Sequence, residues 1–402
     1  MFKLNSGRGA LVLITLLSVN LVSQEPLPNL RIQKILYKQA SSMKEKLARI
    51  KDIYKVATSE YEDFVLSIAS EAAHYFVRND EDDVKYYDDW AFYTVLTAAK
   101  LQLKKSAPFL AEIYKKSKKQ IYRGEILYSI GKTGNTDYIQ FLNNELRYFN
   151  NQTKLGDSSV RDFDMIVLGA VKGLGVFADK SSFNELFYAT FPYNEKIRNE
   201  ALASIANITK EPSILVGDLI DQEDELEIIA AALKFSYESD SSRESKIIPC
   251  KKALSKMITK LQKYESSKEH FVQKIKDECV RQLGELRATE KEVARMIEVK
   301  WLADKNQRSD YITIEALVKI GTYEATQILS KRLAYYNNIV KEGGKAAFDK
   351  EEGEKLMLRI IEGLGFVGDD LAIEELEKIR TGEEYSSTMK DAAGKSIMKL
   401  LN

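Results

Sequence analysis

The chain has 402 residues and balances 60 Lys plus Arg against 60 Asp plus Glu. It therefore carries no global field to attract polyanions, which excludes nucleic acid as a default partner. The length exceeds what one compact core organises, leaving several domains or an elongated array of repeats. Six prolines and an abundance of Leu, Ile, Ala, Glu and Lys suit a mostly helical chain.

At the N-terminus, Lys3 and Arg8 precede an uncharged apolar run from Ala10 to Val19, and Ser23 offers a small residue before Gln24. That is the layout of a secretory signal peptide over residues 1–23, and the run is short for a membrane span. The expected location is exported, periplasmic or envelope-associated. Membrane association through an uncleaved N-terminus is the alternative.

Residues 30–83 follow with a heptad rhythm. Leu36, Met43, Ile50, Ala57 and Phe64 step by seven beside Ala40, Leu47, Tyr54, Tyr61 and Ile68, which predicts one long helix with a continuous apolar seam. Lys44, Lys46 and Lys51 flank the seam with a single sign of charge, which opposes a parallel coiled-coil dimer. Thr58, Ser59 and Glu62 offer a cap that would divide the run. An N-terminal cap on the following repeats is the preferred reading, and a coiled-coil helix the alternative.

From residue 84 onward the pattern is one of helix pairs joined by short turns, in two modules over residues 84–222 and 223–402. A Gly-Leu-Gly segment occurs twice, as AVKGLGVFADKSSFNELF from Ala170 to Phe187 and as IIEGLGFVGDDLAIEELEKI from Ile360 to Ile379. Gly131, Gly175 and Gly365 are expected to end helices in the left-handed conformation, and Asp179 and Asp369 to cap the helices that follow. The turns recur at roughly 30 to 47 residues, the range of two-helix repeats.

A second duplication lies beside the first. Leu146, Arg147, Tyr148, Phe149, Asn150 and Asn151 are echoed by Leu333, Ala334, Tyr335, Tyr336, Asn337 and Asn338. Each cluster leads into a polar connection, at residues 156–158 and 343–345. Tyr148, Phe149, Asn150, Asn151, Tyr335, Tyr336, Asn337 and Asn338 are therefore candidate partner-binding residues, since aromatic and amide side chains make good interface material. Helix termination and packing explain the same residue types.

Catalytic signatures are sparse. His74 and His270 lie at no metal-ligand spacing, so no metal site is expected. No phosphate loop, nucleophile elbow or His-Glu-x-x-His helix occurs, and no strand precedes the Gly-Leu-Gly segments. Cys250 and Cys279 fall in successive helical segments and read as small buried hydrophobes before a redox pair. The acidic run from Asp80 to Asp83 lacks the glycine and terminal glutamate of a calcium loop and reads as a helix start. Lys115, Lys116, Lys118 and Lys119 read as an exposed turn or as a contact for an acidic partner.

The run from Gly363 to Leu376 resembles the turn and second helix of a HEAT-type repeat, particularly the short variety of the phycobilisome lyases. The likeness extends over residues 353–401, less closely over 123–208 and 308–336, and weakly over 84–116 and 223–302. It departs where Ala178 replaces the turn glycine. The resemblance implies an all-α fold: a right-handed α-solenoid of HEAT-like helix pairs with an N-terminal capping or coiled-coil helix. It implies a concave binding surface and carries over no catalytic residue, and separately no cofactor is expected. The expected function is a noncatalytic exported scaffold or adaptor with a protein or peptide partner. An enzyme or lyase-like accessory using the groove is the alternative.

Overall fold

The computed structural model describes residues 29–76, 81–153, 161–259, 268–304, 307–342 and 350–402. The signal-peptide reading of residues 1–23, the connections at 156–158 and 343–345, and Asp80 lie outside them. The described residues are helical throughout, with twenty α-helices, short 3-10 turns and no strand. They fall into two compact units divided between Phe177 and Ala178.

The first unit holds α1 (Leu30–Gln39), α2 (Met43–Val56), α3 (Glu62–His74), α4 (Glu81–Lys100), α5 (Ala107–Lys116), α6 (Gln120–Thr133), α7 (Ile139–Asn150) and α8 (Asp164–Phe177). The long helix expected over residues 30–83 is thus divided. Ser42 accepts from the Glu45 amide while the Glu45 carboxylate accepts from the Ser42 amide, a capping box that starts α2 afresh. Thr58, expected to cap the next break, makes no side-chain cap bond. The heptad residues Met43, Leu47, Ile50, Ala57, Tyr61, Phe64 and Ile68 are all buried, because α2 and α3 both pack on α4 within this unit. The seam therefore serves the chain's own core.

Alternate helices pack side by side. Helices α2, α4, α6 and α8 form one row, α3 packs on α5 in a second, and α5 and α7 pack across on α6 and α8. The approach of α6 to α8 is set by glycine. A Cβ on Gly169 would lie 1.9 Å from the Gly124 carbonyl oxygen, and one on Gly131 would lie 2.5 Å from the Gly173 Cα.

The second unit holds α9 (Phe183–Tyr188), α10 (Glu195–Ile208), α11 (Pro212–Gln222), α12 (Leu226–Glu238), α13 (Arg243–Thr259), α14 (Glu269–Glu285), α15 (Lys291–Ala303), α16 (Gln307–Ile320), α17 (Tyr323–Lys341), α18 (Lys350–Val367), α19 (Asp370–Thr381) and α20 (Ser387–Leu401). Helices α12, α14, α16, α18 and α20 pack in one row, and α11, α13, α15, α17 and α19 in another. The module boundary expected at residues 222 and 223 falls inside this unit, between α11 and α12. Small residues again mark the row contacts: a Cβ on Gly284 would lie 2.7 Å from the Ala316 Cα, and one on Gly365 2.9 Å from the Ser396 Cα.

Ion pairs fix the register along the α13–α15–α17 row. Lys291 meets Glu324 at 3.0 Å, and Glu298 meets Lys331 at 3.6 Å. Both pairs span the same number of positions, so α15 and α17 run parallel in one register. Lys251 pairs with Glu292 and aligns α13 with α15. Phenols also reach forward two helices, Tyr37 donating to Glu71 at 3.0 Å, Tyr114 to Glu145, and Tyr311 to Glu352 at 3.3 Å.

The turn residues need one correction. Gly131, Gly175 and Gly365 lie inside α6, α8 and α18 and do not terminate them. The left-handed residues among those described are Gly134, Gly321 and, without glycine, Gln102, Ala178 and Arg287. At Gly131 and Gly365 the missing side chain lets parallel helices close on each other. Asp179 accepts from the Ser181 amide at 2.8 Å and Asp369 from the Leu371 amide at 3.0 Å, each at a helix start.

These contacts separate two kinds of glycine substitution. Gly169→Val forces backbone apart and is expected to destabilise the first unit by about 3 kcal/mol. Gly394→Ala places its methyl 3.8 Å from the nearest atom, Arg380 Cδ, and is expected to stabilise α20 by about 1 kcal/mol through helix propensity. Thermal melts of the two variants should shift in opposite directions.

Candidate functional site

The duplicated aromatic and amide cluster resolves into inward and outward residues. In the first unit, Tyr148 is 60% exposed on the last turn of α7, while Phe149 is buried. Phe149 stacks on Phe163 with ring centroids 5.0 Å apart and meets Tyr148 edge-on at 5.1 Å. The Asn150 carbonyl accepts from the Thr153 hydroxyl at 2.8 Å, and Asn151 is an exposed C-cap.

In the second unit, Tyr335 is 50% exposed and Tyr336 is buried. Asn337 is interior: its amide donates to the Glu375 carboxylate at 2.8 Å and its carbonyl accepts from the Tyr385 hydroxyl at 2.9 Å. Asn338 is exposed. Of the eight candidate residues, Phe149, Tyr336 and Asn337 are therefore packing residues, and Tyr148 and Tyr335 are the aromatic rings offered to solvent. The reason is helical geometry, since adjacent positions on a helix point to different faces.

Beneath Tyr335 lies a cluster that the sequence did not single out. The Arg332 guanidinium sits 5.0 Å from each of three ring centroids, those of Trp301, Tyr335 and Tyr336. Its Nη2 lies 4.0 Å from Asp310, and the Trp301 indole donates to Asp310 at 2.7 Å. Burial raises the Asp310 carboxyl, and the charge of Arg332 opposes that rise. Arginine so held forms a rigid base for the exposed Tyr335 ring.

A second, deeper network adjoins it. Lys300 is 0% exposed, and its ammonium donates to Asp277 at 2.7 Å, to the Thr313 hydroxyl at 3.3 Å and to the Ser309 hydroxyl, with Asp304 at 3.2 Å. Lys276 pairs with Asp304, and Gln273 donates to the same carboxylate at 2.8 Å. Two cations face two carboxylates, and α14, α15 and α16 all contribute. Burial raises the Asp304 carboxyl, but hydrogen bonds from Lys276 and Gln273 and the charge of Lys300 outweigh it and hold the group below its ordinary value. Ser309 and Lys300 would elsewhere suggest nucleophile and base; here both are buried, and the network braces three helices. Its signal in the sequence is polar side chains at helical spacing on otherwise apolar faces, as at Gln273, Lys276 and Asp277 or at Ser309 and Thr313.

The remaining candidates find local partners. Lys116 donates to the carbonyls of Ala73 and Tyr75 at the end of α3, Lys119 pairs with Asp89 at 2.9 Å, and Lys115 pairs with Glu112 at 2.7 Å. Cys250 and Cys279 are free and buried, and the Cys250 thiol donates to Gln282 at 3.0 Å. Burial pushes the Cys250 thiol up to about 12. Among the described residues no three His, Cys, Asp or Glu side chains are grouped to hold a metal ion, and no helix is long and apolar enough to cross a membrane.

No family model matches the chain, and no curated protein matches it.

Removing one partner of a buried charge pair leaves the other uncompensated, so Lys300→Met is expected to cost about 3–5 kcal/mol, read as a lower denaturant midpoint. The depressed Asp304 carboxyl contributes stability that is fully present above the unfolded Asp value of about 3.9 and lost as pH falls through its lower folded value. Melts of the wild type against Asp304→Asn should therefore differ at neutral pH and converge in strong acid.

Proposed function

We propose that this chain is a noncatalytic, exported scaffold whose helical surface binds a protein or peptide partner. In this reading the helices form a right-handed α-solenoid of HEAT-like pairs, with α1 to α3 as its N-terminal cap. The alternating rows of parallel helices and the phenol-to-carboxylate bonds that reach two helices forward support a repeat array, in which each unit buries its apolar face only against its neighbours. Export is supported by the charged, apolar and small-residue order of the first 23 positions.

The observation that carries the binding role is the outward aromatic at matching positions of the duplicated motif. Tyr148 and Tyr335 are both exposed on a helix while the residue that follows each is buried. An exposed ring on a fixed base binds at little entropic cost, which is how tyrosine anchors interfaces.

The test is crosslinking in native cells followed by affinity capture of the tagged chain. Tyr148→Ala and Tyr335→Ala are expected to deplete the captured partner while leaving the melting temperature within about a degree, because exposed substitutions seldom change stability. Asn337→Ala should instead lower the melt, since it strands the buried Tyr385 hydroxyl. Partner recovery unaffected in both tyrosine variants contradicts the assignment.

A further inference from the structure

Helix α1 turns its isoleucines away from the core. Its buried residues are Gln33 and Tyr37, while Ile32 and Ile35 stand 45% and 47% exposed. An amphipathic helix normally does the reverse, burying isoleucine and leaving glutamine in water. The anchor on the inner side is polar: the Tyr37 hydroxyl donates to Glu71 at 3.0 Å and accepts from the Trp90 indole at 3.2 Å. These bonds fix the rotation of α1 and leave the isoleucines facing out.

Cations share that outer side. Arg31 and Lys38 are exposed, one turn before and one turn after Ile35 on the helix surface. No Asp or Glu occurs in α1. The acidic residues of α2 and Glu71 of α3 are already engaged: Glu45 accepts from the Ser41 and Ser42 amides, Asp52 pairs with Lys55 at 3.3 Å, and Glu71 is held by Tyr37 and Lys46. From Leu30 to Lys51 the chain carries seven Lys or Arg and one acidic residue, Glu45. In a chain with no net charge, this is a local and strongly cationic surface.

We propose that α1 lies on the surface of an anionic phospholipid bilayer, with Ile32 and Ile35 entering the headgroup boundary and Arg31 and Lys38 set against lipid phosphates. A bilayer suits this face better than a protein groove does. Two isoleucines are too little for the apolar centre of a stable protein interface, whereas an interfacial helix combines shallow apolar insertion with attraction to anionic headgroups. Clustered Lys and Arg on such a helix are the sequence mark of that attraction. In chain order α1 also follows the apolar run Ala10–Val19 by eleven residues, a reach of at most about 40 Å. The bilayer contact goes beyond the scaffold reading and needs no protein partner; it shares with that reading only export.

The test is pelleting of the full chain with vesicles of about 3:1 phosphatidylcholine to phosphatidylglycerol, or of phosphatidylcholine alone. Each cation held at an anionic surface is worth about fivefold in affinity. The wild type should therefore bind the anionic vesicles at least about 25-fold more tightly than the neutral ones, and raising salt from about 0.1 M to about 1 M should remove the difference. Arg31→Gln with Lys38→Gln should lose about 25-fold on anionic vesicles and nothing on neutral ones. Ile35→Trp should show a blue-shifted indole emission on anionic vesicles alone, above the constant signal of the buried Trp90 and Trp301. The substituted positions are exposed, so the melts should stay within about a degree. If the double glutamine variant melts lower, the salt dependence and the Ile35→Trp emission decide.

The proposal is overturned if the wild type shows no preference for anionic vesicles, or if that preference survives in Arg31→Gln with Lys38→Gln. Equal, salt-insensitive binding to both vesicles also overturns it and assigns the contact to the run Ala10–Val19. So does a dimer of this chain in sedimentation that Ile32→Asp and Ile35→Asp dissociate, or an Ile35→Trp emission that shifts with an acidic helical peptide and not with vesicles. Absent vesicle binding with partner capture retained would defeat the bilayer contact and leave the scaffold reading standing. Vesicle binding intact with no partner captured would do the opposite.

Discussion

The structure depends on how closely parallel helices approach within a row. Where Gly124 faces Gly169 and Gly131 faces Gly173, backbone meets backbone, and any side chain would hold the helices apart. The same device recurs in the second unit at Gly284 against Ala316 and Gly365 against Ser396. Close packing of this kind does two things at once. It gains dispersion contacts along the whole helix, and it fixes the translation of each helix against its neighbour, since interdigitated surfaces do not slide continuously.

That fixed translation is what turns separate helices into a surface. Ion pairs between α15 and α17 repeat at one spacing, so side chains far apart in sequence stand in predictable order across the row. The Lys300 network ties α14 and α16 to α15 from below, and Arg332 clamps Trp301 against Tyr335 and Tyr336 from above. A buried charge cluster adds little net stability compared with apolar packing, but it penalises every arrangement that separates its members. Here the penalised arrangements are those that would move α15, the helix bearing the Trp301 support of Tyr335.

Much of the helical pattern was legible from residues alone. Asp179 and Asp369 cap helices because short carboxylates before an apolar run have few better uses, and the helical class followed from composition and spacing. The Gly-Leu-Gly segments misled because glycine has two reasons to occur near a helix end, a left-handed turn or a close helix contact, and sequence does not separate them. The heptad rhythm of residues 36 to 68 concealed the Ser42 and Glu45 capping box, because apolar periodicity continues across a short break when both helices pack on the same neighbour. Adjacent candidate residues such as Tyr335 and Tyr336 were read as one cluster, although helical rotation sends them to different environments. The Lys300 network was least legible, since its members come from three helices and none is unusual until burial is known.

The order of side chains across the row and the support of Tyr335 both follow from the register of α15 against α17. That register is tested most directly by pairing Glu298→Cys with Lys331→Cys and, separately, with Asn338→Cys, and treating each protein with a short bis-maleimide. Native Cys250 and Cys279 are buried and need no replacement. Rapid crosslinking of the 298 and 331 pair and little of the 298 and 338 pair are expected. Preferential crosslinking of 298 to 338 would show the helices shifted along each other and would contradict the register set by the Lys291–Glu324 and Glu298–Lys331 pairs.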